Sequence, residues 1–264
     1  RGARAALITT AGFEDVIEIG RQSRNNLYDL AYHRPPPLIP RPLRFGIKER
    51  LDELGNVVEP ISSREIKRLT ERIKKSGAEI AAVCFLHAYA NSAHEEKVAE
   101  VLERAGIAVS LSSHVLPEYR DYERTSTTCV NAYVSPMMSR YLGELERKMG
   151  PGRLRIMQSN GGVISSETAS REAVRTILSG PAGGVVGGYE VARRAGYEKA
   201  ITFDMGGTST DVSLLEGAIG FTSETEVAGC PIRVPVIDIH TVGAGGGSIA
   251  RRDPGGALTV GPES

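Results

Sequence analysis

Neither sign of charge is in excess in this sequence. Its 32 lysines and arginines are matched by 32 aspartates and glutamates, so the formal net charge is zero. A balanced chain lacks the basic excess that nucleic acid or an anionic membrane selects, which excludes a mainly electrostatic role with either. Long hydrophobic runs are missing as well. The longest, Ile80 to Leu86, falls far short of the roughly 20 apolar residues that span a bilayer, and no stretch resembles a signal peptide. Cysteine is scarce: Cys84, Cys129 and Cys230 are odd in number and widely spaced, which gives neither a disulfide framework nor a zinc spacing. That usage points to a reducing cytoplasm. Cys84, in an apolar run, reads as a core residue, and the other two have no reactive context. No internal repeat is present. What remains is ordinary for a globular protein, with 41% apolar and 24% charged residues. The 264 residues suit one large domain or two smaller ones at ~100–200 residues each. The chain opens at Arg1 without methionine and closes in a Gly/Pro-rich stretch, and both ends read as cuts.

Along the chain, Thr10 to Arg21 reads as a short helix. Pro35, Pro36, Pro37, Pro40 and Pro42 make the next connection extended, because proline lacks the amide donor and fixes φ. Leu43 to Leu51 is a candidate strand. Ser62 with Glu65, and Ser92 with Glu95, have capping-box spacing. They open helices that end at Gly77 and Gly106. The apolar runs Glu79 to Leu86 and Ile107 to Leu111 read as strands, and the alternation predicts a parallel α/β layer. From Pro117 to Met149 the pattern is mainly helical, with a break near Pro136. Leu154 to Gln158 reads as a strand before the turn Asn160-Gly161-Gly162. A helix from Pro181 to Ala195 precedes a strand from Ala200 to Asp204, and the remainder reads as strands with glycine turns. The change of pattern near Pro117 divides the chain into an α/β lobe, residues 1–115, and a second domain, 116–264. Arg21, Arg24, Arg34, Arg41, Arg44, Lys48 and Arg50 face only Asp29 and Glu49 between residues 21 and 50. They suit a solvated or subunit-facing surface, with an anionic ligand as the alternative. Glu118, Arg120, Asp121, Glu123 and Arg124 read as a solvated helix start, and His87 and His114 as structural histidines.

Three motifs carry chemistry. The first is Asp204-Met205-Gly206-Gly207-Thr208-Ser209-Thr210-Asp211, placed between the strands Ile201-Thr202-Phe203 and Val212 to Leu215. This is a hairpin whose glycines permit close approach of a ligand. Converging amides there can bind a phosphate, with Thr208 and Thr210 adding hydroxyls. Asp204 can hold a magnesium ion through waters, since hard cations prefer oxygen. The alternative is a plain hairpin. The second motif is Ser179-Gly180-Pro181-Ala182-Gly183-Gly184-Val185-Val186-Gly187-Gly188. Gly183 with Gly187, and Gly184 with Gly188, fall on one side of a helix. They suit a tight helix crossing or, alternatively, a phosphate at the helix start. The third runs from Val234 to Ser248. On one strand, Val234, Val236, Asp238 and His240 would share a face, with the last two ~7 Å apart. The loop Gly243-Ala244-Gly245-Gly246-Gly247 follows. The segment is either a cleft wall with Asp238 and His240 as a metal or substrate pair beside a phosphate or hinge loop, or a surface His and Asp before a long turn.

The order of small-residue helix, D-x-G-G-T-x-T-D hairpin and glycine loop resembles the second half of actin-like ATPases, the architecture of sugar kinases and heat-shock chaperones. More specific are Thr9-Thr10-Ala11-Gly12-Phe13-Glu14-Asp15, Glu123-Arg124-Thr125-Ser126-Thr127-Thr128, Met157-Gln158-Ser159-Asn160-Gly161-Gly162, Leu178 to Gly184, and Asp238 to Ser248. From about Leu7 to Ser264 these strings resemble the hydantoinase A and 5-oxoprolinase family. That group includes the matching subunits of acetone and acetophenone carboxylases. The resemblance implies an α/β protein with an actin-like, ribonuclease H-like core and an additional α/β lobe, incomplete at both ends. It implies ATP and Mg2+ as cofactors and phosphorylation of a carbonyl or enol oxygen. A lactam-like ring is then opened, or, in the carboxylase branch, a ketone is joined to carbonate. Asp204 and Asp211 would be catalytic, with Asp204 on the metal. Gly206, Gly207, Thr208, Ser209, Thr210, Gly243, Gly245, Gly246 and Gly247 would contact the cofactor. Asn160, Gly161, Gly162, Asp238 and His240 would line the substrate side or the cleft. A hydantoinase B-type partner subunit or domain and a homo-oligomer are implied. The family's earlier D-x-G-G-T-x-T-D motif is absent from this sequence, so the chain alone is expected neither to hydrolyse nor tightly to bind ATP. A non-enzymatic actin-like nucleotide switch is the reading of a different class. It lacks the Ser159-Asn160-Gly161-Gly162 and His240-containing strings.

Overall fold

The computed structural model describes residues 2–21, 28, 31, 35–150, 152–227 and 229–261. Arg24, Asp29, His33 and Arg34 lie outside the described residues. Two compact units interleave along the chain. The first takes residues 1–154, 165–174 and 224–234; the second takes 155–164, 175–223 and 235–264.

The first unit is built on four parallel strands, β1 (Ala5–Thr10), β2 (Arg44–Ile47), β3 (Ile80–Cys84) and β4 (Ala108–Leu111), in the order β2-β1-β3-β4. All six residues of β1 and all five of β3 are buried, as continuous apolar runs covered on both faces should be. Strand alternation splits them between two cores. Ala6, Ile8, Ala81 and Val83 join Ile66, Leu69 and Ile73 of α1 (Ser63–Ser76) and Val98 and Leu102 of α2 (Ala93–Arg104). Ala5, Leu7, Ala82 and Cys84 join Cys129 and Ala132 of α3 (Asp121–Met149). Each buried Leu or Ile there contributes about 1.5–3 kcal/mol. The parallel layer is as expected, and Gly77 and Gly106 end their helices at φ 71° and 79°.

Several local expectations fail for identifiable reasons. Thr10 to Arg21 is not one helix. Thr10 ends β1, the Phe13 amide closes a turn onto the Thr10 carbonyl at 3.0 Å, and helix covers only Val16–Ile19. Neither capping box forms. Ser92 Oγ instead donates to Glu96 at 2.6 Å, and Glu95 turns into the core. There is no break at Pro136, because α3 runs through it. Arg44 is not solvated. Its side chain is buried, donates to the Ile39 carbonyl at 2.9 Å and pairs with Asp15 and Glu18. Nor is the start of α3 a solvated face, since Glu123 and Arg124 are buried. A short ladder, Thr225–Val227 with Cys230–Ile232, completes this unit. α3 packs on β3 inside this first unit.

The second unit sets α4 (Ser179–Arg194) on an antiparallel sheet of β5 (Lys199–Met205), β6 (Thr210–Glu216) and β7 (His240–Val242), in the order β7-β6-β5. Ala182 and Val185 of the helix pack on Leu215 and Ile237. Two of the glycines on α4 make room for strand side chains. A Cβ at Gly188 would stand 2.7 Å from Thr202 Cγ2, and one at Gly183 3.1 Å from Met157 Sδ. The opposite sheet face leaves Ile201, Phe203, Met205 and Leu214 more than half exposed.

Candidate functional site

The β5–β6 hairpin presents its two carboxylates as cross-strand neighbours. Asp204 pairs with Asp211 and Met205 with Thr210, so the turn is Gly206 to Ser209. Both aspartates lie on the sheet face that α4 covers, as do Ala200, Thr202, Ser213 and Leu215 by register. A Cβ at Gly184 would be 3.8 Å from Asp204 Oδ2, so the glycine leaves space beside that carboxylate. β7 continues the row: Thr241 is in register with Asp211, and its hydroxyl donates to Asp211 Oδ1 at 2.6 Å. Thr241 is a residue the sequence reading did not single out. Its place becomes visible only once the strand register is known.

The turn is closed by the Gly206 amide on the Ser209 carbonyl at 2.9 Å. The glycine loop docks directly on it. Gly246 and Gly247 amides donate to the carbonyls of Gly206 and Gly207, each at 2.8 Å. Thr210 Oγ1 donates to the Ala244 carbonyl at 2.6 Å, and the Gly245 amide donates to Ser248 Oγ at 3.0 Å. These contacts require glycine: a Cβ at Gly245 would lie 2.6 Å from the Gly206 oxygen and 2.8 Å from Ser209 N. The amides of Gly245, Gly246 and Gly247 are therefore spent on the brace. Thr210 is spent too. The amides of Gly207, Thr208 and Ser209 have no hydrogen-bond partner among the described residues. Gly207 and Thr208 are exposed and Ser209 half-buried, so three open donors stand at one turn beside two carboxylates.

The other expected residues lie elsewhere in this unit. Asn160, Gly161 and Gly162 form a self-contained turn. The Gly162 amide donates to Asn160 Oδ1 at 2.9 Å and the Gly161 amide to the Gln158 carbonyl at 3.0 Å. Gly161 has φ 78°, and a Cβ there would meet Val186 Cγ2 at 2.7 Å, so the turn nests on α4. The shared face expected for Val234, Val236, Asp238 and His240 does not form. The strand Val236–Ile237 stops at Asp238, whose amide donates to the Gly220 carbonyl at 2.9 Å, and a new strand begins at His240. Val236 and Ile237 are both buried, so this short strand is covered on both faces. His240 registers with Val212 and, across β6, Phe203. It thus points to the sheet face opposite Asp204 and Asp211. Among the described residues, no cluster of three or more His, Cys, Asp or Glu could hold a metal ion.

The family model described as hydantoinase/oxoprolinase matches residues 124–264, and the model of its N-terminal region matches residues 1–106. An uncharacterised protein of Methanocaldococcus jannaschii is 41% identical over 99% of this chain and 41% of its own length. The caprolactamase subunit alpha of Pseudomonas jessenii is 36% identical over 100% of this chain and 39% of its own. Among solved structures, the ATP-dependent caprolactamase of the same organism matches with a TM-score of 0.85 at 35% identity, over 100% of this chain and 39% of that one. Nucleotide-free acetone carboxylase matches with 0.82 at 30% identity, over 100% and 40%. The chain thus spans about two-fifths of the length of these relatives.

Proposed function

The chain belongs to the hydantoinase/oxoprolinase family and has its mixed α/β, actin-like ATPase type of fold, and from that premise we propose that it forms part of an ATP-dependent cyclic-amide hydrolase. The observation that carries this reading is the braced hairpin, with three unpaired amides next to the Asp204–Asp211 pair. When bound, ATP supplies the phosphoryl group that makes a poor carbonyl electrophile reactive. Phosphoryl transfer asks the protein mainly for positioning and charge neutralisation. The amides of Gly207, Thr208 and Ser209 suit phosphate oxygens. Asp204 and Asp211 fit Mg2+, which takes one or two carboxylates together with phosphate oxygens and waters. Thr241 fixes one oxygen of Asp211, leaving the other for such a role. The loop from Gly243 to Gly247 acts as a support that holds the turn in shape, which matters because preorganised dipoles need no rearrangement during reaction.

The likeness to acetone carboxylase over the whole chain favours an ATP-dependent ketone carboxylase as the second reading. A partner subunit of hydantoinase B type and homo-oligomerisation go with either, and the name "subunit alpha" of the caprolactamase relative supports a multi-subunit enzyme. No helix among the described residues is long and apolar enough to cross a membrane, and we place the protein in the cytoplasm. We keep residues 1–115 and 116–264 as the family's N-terminal and ATPase portions. The matches to 1–106 and 124–264 support that division.

The full-length protein, with its partner, is assayed for ATP hydrolysis in the presence of hydantoin, 5-oxoproline, caprolactam, or acetone with bicarbonate. Turnover that depends on a cyclic amide is expected, and Asp204→Ala should lower it at least about 100-fold, ~2.7 kcal/mol in the barrier. Dependence on acetone alone selects the carboxylase. ATP turnover indifferent to every substrate, or near-normal turnover by Asp204→Ala, refutes the assignment.

A further inference from the structure

The first unit contains a pocket of about 230 Å³ between the start of α3 and the Thr225–Val227/Cys230–Ile232 ladder. Its charges fall into two groups. Arg21 Nε donates to Glu123 at 2.8 Å, and its Nη2 lies 3.4 Å from Glu224. Arg120 Nη1 reaches the other oxygen of Glu224 at 3.3 Å. These four charges satisfy one another.

Two lining charges stand outside that group. Glu226 makes no ion pair among the described residues. Arg233 has Nε 3.1 Å from Glu118 Oε2, but the pair is not aligned as a hydrogen bond. Its Nε and Nη1 are buried without a hydrogen-bond partner. The guanidinium carbon sits 5.8 Å from the centroid of Tyr119, whose ring fills one side without accepting a hydrogen bond in the plane of the guanidinium. A buried donor left unsatisfied costs about 1–3 kcal/mol, more when charged, so this guanidinium is short of a partner. Between Glu226 and Arg233 runs a short apolar floor. Pro231 stands directly across the ladder from Glu226, and Ile232, next to Arg233, is buried.

A lone anion would satisfy Arg233 but meet Glu123, Glu224 and Glu226. A lone cation would leave Arg233 as it is. One molecule carrying both charges on a short aliphatic body answers both. The volume, below the roughly 300–1,000 Å³ of drug-sized sites, suits something no larger. We propose that this pocket binds a small amino acid, its carboxylate on Arg233 and its ammonium on Glu226. Amino acids are also the class of product that ring opening of a cyclic amide releases. That link rests on the proposed function; the binding itself does not.

The test is calorimetric titration of the full-length protein with glycine, 4-aminobutyrate and 6-aminohexanoate, and with hexanoate and hexylamine as single-charge probes. At least one amino acid should bind at least about tenfold tighter than either single-charge probe. Glu226→Gln, at an exposed position, should weaken it by at least about tenfold, and Arg233→Gln likewise. Asp204→Ala should leave it unchanged, which separates this site from the hairpin. Should Arg233→Gln not fold, Glu226→Gln decides. No binding at millimolar concentration, equal binding of hexanoate, or an unaltered affinity in Glu226→Gln overturns the proposal.

Discussion

Replacing Gly245 by alanine probes whether the glycine loop is a brace or a ligand contact. The added Cβ would lie 2.6 Å from the Gly206 oxygen, 2.8 Å from the Gly207 carbonyl carbon and 2.8 Å from Ser209 N. All three are backbone atoms, so no side chain can swing away. Ordinary contact begins near 3.4 Å, and the loop must therefore retreat by about 0.8 Å. The Gly246 and Gly247 amides now donate across 2.8 Å. The same retreat stretches both beyond about 3.5 Å, where they cease to count as hydrogen bonds. Two bonds at ~0.5–1.5 kcal/mol each give a local loss of about 1–3 kcal/mol. The turn that carries the three open amides then loses its support. In the full-length enzyme, kcat/KM for ATP should fall at least about tenfold, while the thermal midpoint moves little. Gly243→Ala is the control, because a Cβ there meets nothing within 4 Å and its φ is not left-handed. If Gly245→Ala turns over ATP as well as Gly243→Ala does, the brace is not a brace.

Three further outcomes follow from the first unit. Arg124 is fully buried and donates to the Phe85 carbonyl at 2.9 Å, Ser112 Oγ at 2.8 Å and Asp121 Oδ1 at 2.7 Å. Arg124→Ala removes two buried hydrogen bonds from a charged group, at ~1.5–3 kcal/mol each, and should cost about 3–6 kcal/mol in urea unfolding; a loss below ~1 kcal/mol would contradict the network. Burial holds the Glu95 carboxyl above its ordinary value of 4.5, against hydrogen bonds from Ser112, Ser113 and Phe85. The folded state then keeps the proton more tightly than the unfolded state. Its stabilisation is full below about pH 4.5 and is lost as pH rises through the raised value. The urea midpoint of the parent protein should fall through that window relative to Glu95→Gln, and a constant difference would reject the shift. Pro136 lies inside α3 and cannot donate to the carbonyl one turn back. Pro136→Ala should raise the thermal midpoint, with up to ~3 kcal/mol recovered less ~0.4–1 kcal/mol for the freer unfolded chain; a lowered midpoint would show that the helix depends on the proline.

What could be read from the sequence was whatever depends on local chemistry. Apolar runs gave β3 and β4, αL glycines gave the ends of α1 and α2, and the octet gave a hairpin with both aspartates at one end; that they pair follows from the turn length, with Met205 and Thr210 flanking Gly206 to Ser209 and the aspartates one step further out. What could not be read depends on which strands become neighbours. Glu95 has the spacing of a cap, yet burial of three donors around it, at Phe85, Ser112 and Ser113, outweighs a cap worth ~0.5–2 kcal/mol. Ten buried residues in succession, Glu123 to Ala132, carry no apolar period. Two of their hydroxyls bond within the helix, Thr127 onto the Glu123 carbonyl and Thr128 onto that of Arg124, both at 2.7 Å, and Thr125 pairs with Cys84 Sγ at 3.1 Å. Polar composition there therefore disguised a core helix as a surface one. His240 shows the same limit at the site. Alternation counted from Val234 put it beside Asp238, but the strand Val236–Ile237 ends before Asp238 and a separate strand begins at His240, so the count does not carry across. A shift of one residue moves a side chain to the other face of a sheet. In the register of the new strand His240 pairs with Val212 and Thr241 with Asp211, so Thr241 and not the imidazole stands beside the paired aspartates.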